Sequence, residues 1–378
     1  MKKMFLLSRL ICFAVAVFLV SPCIASADAG TPLMWAGVFH LLIGNALIGI
    51  LEGFIISRVF KVKAIRSILI MALANYFSMI AGFAILSLIT TSLESFITLY
   101  SIKMFLAVFL IISFMLSVVL EWPFCCWILR KQTDIKRKAW RASLIVQTIS
   151  YAFIIPLYLL SSGISLLTDC KIDKTLSFVK SGAWVYYIAG DNCSVNKIRV
   201  DGSAMEMVTR LDGKSGEAAR LFVRPSETRG QWDLGVVDRT PDRVLFEKIL
   251  LRDFTDTAEP FRHWDGELYE KEPDSWGNVG ISDFRLLDGR DWKFSVGFWA
   301  AEGLHARSDS EGKNIYVALE TPFAQWIIRN VSVLPGNQAV FELGKNQIVV
   351  LDLETRKIGL LAFGKGPVVV FNAKQGEK

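Results

Sequence analysis

The sequence predicts a multidomain membrane protein: a transmembrane four-helix α bundle followed by an all-β extracytoplasmic domain. Three observations carry that expectation. Residues 1–167 hold five apolar stretches. The two interhelix loops expected to face inward hold nearly all the basic charge of that half. From about Leu176 the pattern changes to short β-rich runs broken by Gly, Asp, Asn and Pro. The 378 residues suffice for two or three domains, and the 52% hydrophobic content is concentrated in the first half.

Residues 1–27 read as a secretory signal. Lys2, Lys3 and Arg9 form a basic start, Leu10–Val20 an apolar run too short to span, and Ala25-Ser26-Ala27 a small-residue cleavage site. An uncleaved anchor is the alternative, and it leaves the later topology unchanged. Within residues 28–167, four longer apolar segments follow, near 34–57, 67–91, 99–121 and 142–166. Each has the ~20 residues that a helix needs to cross the hydrocarbon core. Backbone groups in lipid must bond internally, which selects helices. Arg58, Lys61, Lys63 and Arg66 follow the first segment; Arg130, Lys131, Lys136, Arg137, Lys138 and Arg141 follow the third. The loop between the second and third has Glu94 and no basic residue. Basic short loops stay cytoplasmic, so four crossings return the chain to the outside of a bacterial inner membrane. The net charge of +6 has the same origin, and no nucleic-acid partner is expected. Trp122, Trp127 and Trp140 mark the inner interface and Trp35 the outer.

Polar residues inside the helices are the most function-like feature of this half. Asn45, Gly49 and Glu52 share one face of the first helix, because seven residues is nearly two turns. Asn75, Ser78 and Gly82 share a face of the second, and Gln147 and Tyr151 a face of the fourth. Counting from the basic loops puts Glu52, Asn75 and Gln147 in the inner half, with Glu121 near the inner surface. An ionisable residue in the membrane is a functional-site candidate by default. The alternative is structural: Glu52 hydrogen-bonded to Asn75, with Gly44, Gly49 and Gly53 allowing close helix packing. His40, near the outer end of its helix, reads as an interfacial hydrogen bonder.

Residues 168–177 read as a linker and 178–378 as the β-rich domain. Trp184–Ile188 and Val195–Val200 are strand-like, joined by the turn Gly190-Asp191-Asn192. The unit recurs at Arg220–Val223 with Asp233–Asp238, and at Ala339–Leu343, Ile348–Leu353 and Lys357–Phe363. WVYYIAGDNCSVNKIRVDGS at 184–203 resembles one blade of the YWTD, TolB or WD40-like β-propellers, and NQAVFELGKNQIVVLDLETRKIGLL at 337–361 resembles a closing blade. The resemblance covers about a third of the domain, and its motifs are structural. It implies a partial or small propeller of about four or five blades. It implies no site residues. A β-sandwich is the alternative.

Cys170 and Cys193 are the two cysteines outside, and a disulfide between them would close a loop of about 22 residues. The segment Asp253–Asp274 is densely acidic. His263, Trp264, Asp265 and Glu267, with Trp276 beyond, form a candidate ligand or partner loop. The acidic spacing matches no calcium loop. No HExxH, GxSxG or CxxC pattern occurs, and three histidines leave little for a metal centre. No cofactor, metal or catalytic constellation is expected. The sequence favours a non-catalytic protein that sits in membrane lipid and presents its β domain to an extracytoplasmic protein or envelope component. The alternative is a transport or signal-transducing bundle that uses Asn45, Glu52, Asn75, Glu121 and Gln147, with the outer domain as sensor or gate.

Overall fold

The computed structural model describes residues 31–93, 96–179, 182–216, 219–228, 231–240, 243–254, 284–285, 291–296, 301–334 and 337–370. The expected signal segment and the candidate loop His263, Trp264, Asp265, Glu267 and Trp276 lie outside the described residues. The chain divides into a helical unit and a β unit.

Among the described residues, four helices build the helical unit: α1 (Pro32–Val59), α2 (Ala64–Leu93), α3 (Ile102–Ile128) and α4 (Ile135–Ser161). All four contain a stretch long and apolar enough to cross a membrane. Thr31 starts α1: its Oγ1 accepts the Met34 N–H at 3.1 Å, and Pro32 follows where no backbone donor is needed. Within α1 a π turn runs from His40 to Gly44, and the Asn45 N–H donates to the His40 carbonyl. The helix stops at Phe60, after which Lys61 takes a left-handed conformation (φ 53°).

The unit is apolar outside, and inside it buries polar side chains beside an apolar core of Ile56, Met71, Leu129 and Val146. Leu42 is 63% exposed, Ile65 77%, Phe83 75% and Leu160 75%. An apolar surface of that extent is a liability in water and ordinary against lipid. The closest packing is between α1 and α2. A Cβ on Gly49 would lie 2.4 Å from the Ala72 Cα, and one on Gly53 would lie 2.4 Å from the Ile68 Cα. The two glycines therefore let the backbones meet, the small-xxx-small solution to packing without a hydrophobic drive. The atoms nearest to a Cβ on Gly44, His40 Cδ2 at 3.2 Å and the Phe39 carbonyl at 3.5 Å, belong to its own helix, so no such approach to α2 is made there.

Among the described residues, the β unit begins with the short helix α5 (Ser165–Thr168) and continues through seventeen strands. These are β1 (Lys171–Ile172), β2 (Trp184–Ala189), β3 (Ser194–Arg199), β4 (Met205–Arg210), β5 (Arg220–Pro225), β6 (Trp232–Thr240), β7 (Arg243–Phe254), β8 (Phe284–Arg285) and β9 (Asp291–Val296). They are followed by β10 (Leu304–Ser308), β11 (Lys313–Val317), β12 (Leu319–Glu320), β13 (Gln325–Trp326), β14 (Ile328–Leu334), β15 (Gln338–Leu343), β16 (Gln347–Asp352) and β17 (Lys357–Val370). The main sheet has eight strands, in the order β14-β15-β16-β17-β2-β3-β4, with β1 parallel to the start of β17. Smaller antiparallel groups are β5-β6-β7, β11-β10-β9-β8 and β12-β13.

This arrangement corrects the propeller expectation. Residues 184–203 and 337–361 do form strands, but they belong to one sheet instead of two blades. The reason is β17. Its first half pairs with β16, with Gln347 opposite Phe363. It then runs on for seven residues, and that second half pairs with β2, with Gly364 opposite Ala189 and Val370 opposite Trp184. Propeller blades are separate sheets around a channel. Here one long strand fuses them, and the sheet closes into neither a barrel nor a propeller.

The pairing of β17 with β2 slips between Lys365 and Val368, where Gly366 has φ 56°. A Cβ there would fall 2.3 Å from the Arg220 Cα, so glycine meets both the conformation and the close approach. One face of the main sheet buries Val185, Tyr187, Ile198, Val340, Val350 and Val369. The opposite face, at Tyr186, Ile188, Val368 and Val370, packs on Leu221, Val223, Leu234 and Val236 of β5 and β6. Two sheets thus meet face to face, as in a sandwich. Glu342 is buried on β15, and its Oε2 accepts the Asn330 amide at 3.0 Å and the Gly366 N–H at 2.9 Å. Burial raises its carboxyl above the usual range against the opposing pull of Arg329.

Cys170 and Cys193 are both free, so the expected disulfide is not formed. Strand register explains it. Cys170 precedes Lys171, which lies opposite Lys357, whereas the β2–β3 turn holding Cys193 follows Ala189, opposite Gly364. The run from Lys357 to Gly364 is roughly 23 Å of strand, far beyond disulfide reach. Burial, with Asp169 nearby, pushes the Cys170 thiol up to about 11.

Two short segments belong to the unit one would not assign by chain order. Thr98–Tyr100, between α2 and α3, is part of the β unit, where the Leu99 N–H donates to Gln347 Oε1 at 2.7 Å. Thr321–Ala324 is part of the helical unit, where Phe323 packs on Phe109 with ring centroids 5.9 Å apart.

Candidate functional site: a carboxylate pair inside the helical bundle

Every helix of the bundle contributes to one buried polar cluster. Helix α1 supplies Glu52, α2 supplies Asn75 and Ser78, α3 supplies Glu121, and α4 supplies Gln147 and Ser150. All six are buried, and Glu52 is fully so. The helical period explains the convergence. Asn75 and Ser78, like Gln147 and Ser150, are three residues apart and so lie one turn apart on one face.

The two carboxylates organise the cluster. Glu52 Oε2 accepts Asn75 Nδ2 at 2.5 Å, and Glu52 Oε1 accepts Ser150 Oγ at 2.5 Å. Glu121 Oε1 accepts Ser78 Oγ at 2.8 Å. Gln147 joins the halves: its Nε2 lies 2.5 Å from Glu121 Oε2 and 3.4 Å from Glu52 Oε1. The Asn75 amide also donates to the Met71 carbonyl at 3.0 Å, which holds it against its own helix. All the donors are neutral amides or hydroxyls. Among the described residues no lysine, arginine or histidine forms an ion pair with either carboxylate. No group of three or more metal-ligating side chains occurs among the described residues either.

A buried carboxylate needs both hydrogen bonds and charge compensation. Here the hydrogen bonds are present. Two carboxyl groups bridged by one amide can share a proton or hold one small cation, and the flanking hydroxyls and amides can turn as that occupant comes or goes.

Four of the five intramembrane candidates, Glu52, Asn75, Glu121 and Gln147, come together. Asn45 does not. It follows the π turn, and its Nδ2 meets Met79 Sδ at 2.8 Å, with the Leu41 carbonyl at 3.5 Å. His40 bonds Tyr158 instead, Nδ1 to OH at 2.8 Å, in an edge-on ring contact. Tyr151 turns to Ser117 at 3.1 Å, and Ser150 beside it completes the cluster. Sequence reasoning missed Ser150. The signal was its three-residue offset from Gln147, easily passed over because serine is common in packed membrane helices.

No family model and no curated protein matches the sequence.

Proposed function

We propose that this chain is a multi-pass protein of a bacterial inner membrane whose helical bundle binds a proton or small monovalent cation at Glu52 and Glu121, and that it serves transport or signal transduction with the β unit outside as sensor or gate. One observation carries the reading: two carboxyl groups from different helices, fully enclosed, bridged by Gln147 and given only neutral donors. A cluster built only for packing has no need of two acids. The basic loops flanking the helices support an inward placement for Lys63 and Arg130 and an outward one for the β unit.

The test uses the full chain in lipid vesicles. Infrared difference spectra between low and high pH are expected to show a protonated-carboxyl band that Glu52→Gln and Glu121→Gln each remove or shift. A Na⁺ or K⁺ titration at fixed pH reads the cation form of the same site. Spectra identical in wild type and the double variant, under both titrations, would sink the proposal.

A second reading keeps the function outside, as a non-catalytic β domain that holds a protein or envelope partner. Strand β4 favours it. Among the described residues it is the last strand of the main sheet and has no partner on its outer side, with Met205 64% and Met207 65% exposed. An open edge bearing flexible apolar side chains is a place for an added strand. On this reading Met205→Glu with Met207→Glu abolishes the cellular phenotype while Glu52→Gln preserves it, and the opposite pattern excludes it.

A further inference from the structure

Near the basic loops, the first turns of α2 and the end of α3 enclose a groove of about 740 Å³. Lys63, Arg66 and Arg130 line it, together with Trp127 and the apolar side chains of Ile65 and Leu69. No acidic residue is among its walls. Arg66 is fixed there, because its Nη2 donates to the Trp127 carbonyl at 2.8 Å. Among the described residues none of the three cations forms an ion pair. Ile65 and Leu69 are 77% and 67% exposed, so the apolar wall is open along the helix.

We propose that this groove binds one anionic phospholipid, with the phosphate held by Lys63, Arg66 and Arg130 and an acyl chain laid along Ile65 and Leu69. The charge and the apolarity are arranged as that ligand requires. Three cations gather at the helix ends, where a headgroup lies. The apolar wall follows α2 from there into its spanning stretch, where a lipid tail runs. A soluble anion would use the cations and leave the wall unused. A neutral lipid would use the wall and leave three charges uncompensated. Ordinary topology explains why basic residues occur in these loops, but it does not explain a walled groove that selects three of them. The inference rests on the helices spanning a bilayer and is independent of the carboxylate pair.

The full-chain protein in neutral detergent is titrated with phosphatidylglycerol, phosphatidylcholine or inorganic phosphate, and bound lipid is read by native mass spectrometry. Phosphatidylglycerol is expected to bind at least about tenfold more tightly than phosphatidylcholine. The variant Lys63→Gln/Arg66→Gln/Arg130→Gln should lose about tenfold or more, while Lys131→Gln/Lys136→Gln/Arg137→Gln should stay within about twofold. Both variants remove three charges from the inner loops, so topology bias and general attraction change equally. Leu69→Trp alters only the exposed wall and should weaken lipid retention with the charges intact. If the groove variant fails to fold, Leu69→Trp decides the matter. Equal losses in the two charge variants would overturn the proposal, as would indifference to Leu69→Trp. Displacement of phosphatidylglycerol by an equal concentration of inorganic phosphate would assign the groove to a free anion instead.

Discussion

A Gly53→Val protein is expected to lose the α1–α2 contact and most of its folded yield. The added Cβ would stand 2.4 Å from the Ile68 Cα and 2.5 Å from its backbone nitrogen. A rotamer change cannot relieve a collision with backbone, so the helices must part. Overpacking of well-fitted positions costs roughly 1–3 kcal/mol even where side chains can yield, and this site cannot yield. A loss of about 3 kcal/mol or more is therefore expected. Gly82→Val is the internal control, since nothing lies within 4 Å of the position a Cβ would take there. Graded denaturation in mixed detergent micelles, followed by helical circular dichroism, measures both. Equal stability of the Gly53 and Gly82 variants would contradict the close packing.

The second large effect belongs to Glu52. Glu52→Ala leaves the Asn75 amide and the Ser150 hydroxyl facing a void in place of carboxylate oxygens 2.5 Å away. An unmet buried donor costs about 1–3 kcal/mol, so a total near 2–4 kcal/mol is expected after relaxation. Glu52→Gln keeps the shape and one acceptor oxygen, and its stability should stay within about 1 kcal/mol of wild type. The pair therefore separates fold from function: alanine damages both, whereas glutamine removes only the titratable group. Combining Glu52→Gln with Glu121→Gln tests whether the acids act as one unit. Groups that share a bonding partner, as these share Gln147, show coupling of about 0.5–3 kcal/mol, and strict additivity would argue that each acid acts alone.

The sequence made the helices easy to read because hydropathy integrates over twenty residues, yet it misplaced their ends. The third segment was expected to stop at Glu121 and the fourth to begin at residue 142. The structure carries α3 to Ile128 and starts α4 at Ile135. Charged and proline residues lower hydropathy without breaking a helix, so α3 continues through Glu121 and Pro123. That extension is why Glu121, expected near the surface, lies deep enough to meet Gln147. Depth counted from the basic loops set Glu52, Asn75 and Gln147 at one level, and a Glu52–Asn75 hydrogen bond was the expected packing alternative, whereas the bridge from Gln147 to Glu121 was not legible because helical period relates residues of one helix only. Asn45 was misread because it shares a buried face with Glu52 but stands seven residues, roughly 10 Å, further along the axis, where it meets Met79 instead of the cluster. In the β unit, single strands such as Trp184–Ala189 were legible from alternation and turns. Their pairing was not, since nothing local in β17 announces that one strand will serve two neighbours.

The place of β17 also sets the order in which the molecule can be completed. Among the described strands it is the last made, and β1, β2 and β16 all pair with it. The Leu99 amide, in an early loop, finds Gln347 across a separation of 248 residues. At a synthesis rate of about 5–20 residues per second, that amide waits roughly 12–50 s for its partner to be made. From the completion of β4 at Arg210 until the second half of β17 is made, the β2–β3–β4 meander exists as a three-stranded fragment whose inner edge is open at β2. A nascent chain in this state depends on whatever covers that edge, and a truncation before Lys357 leaves it permanently in the unfinished form.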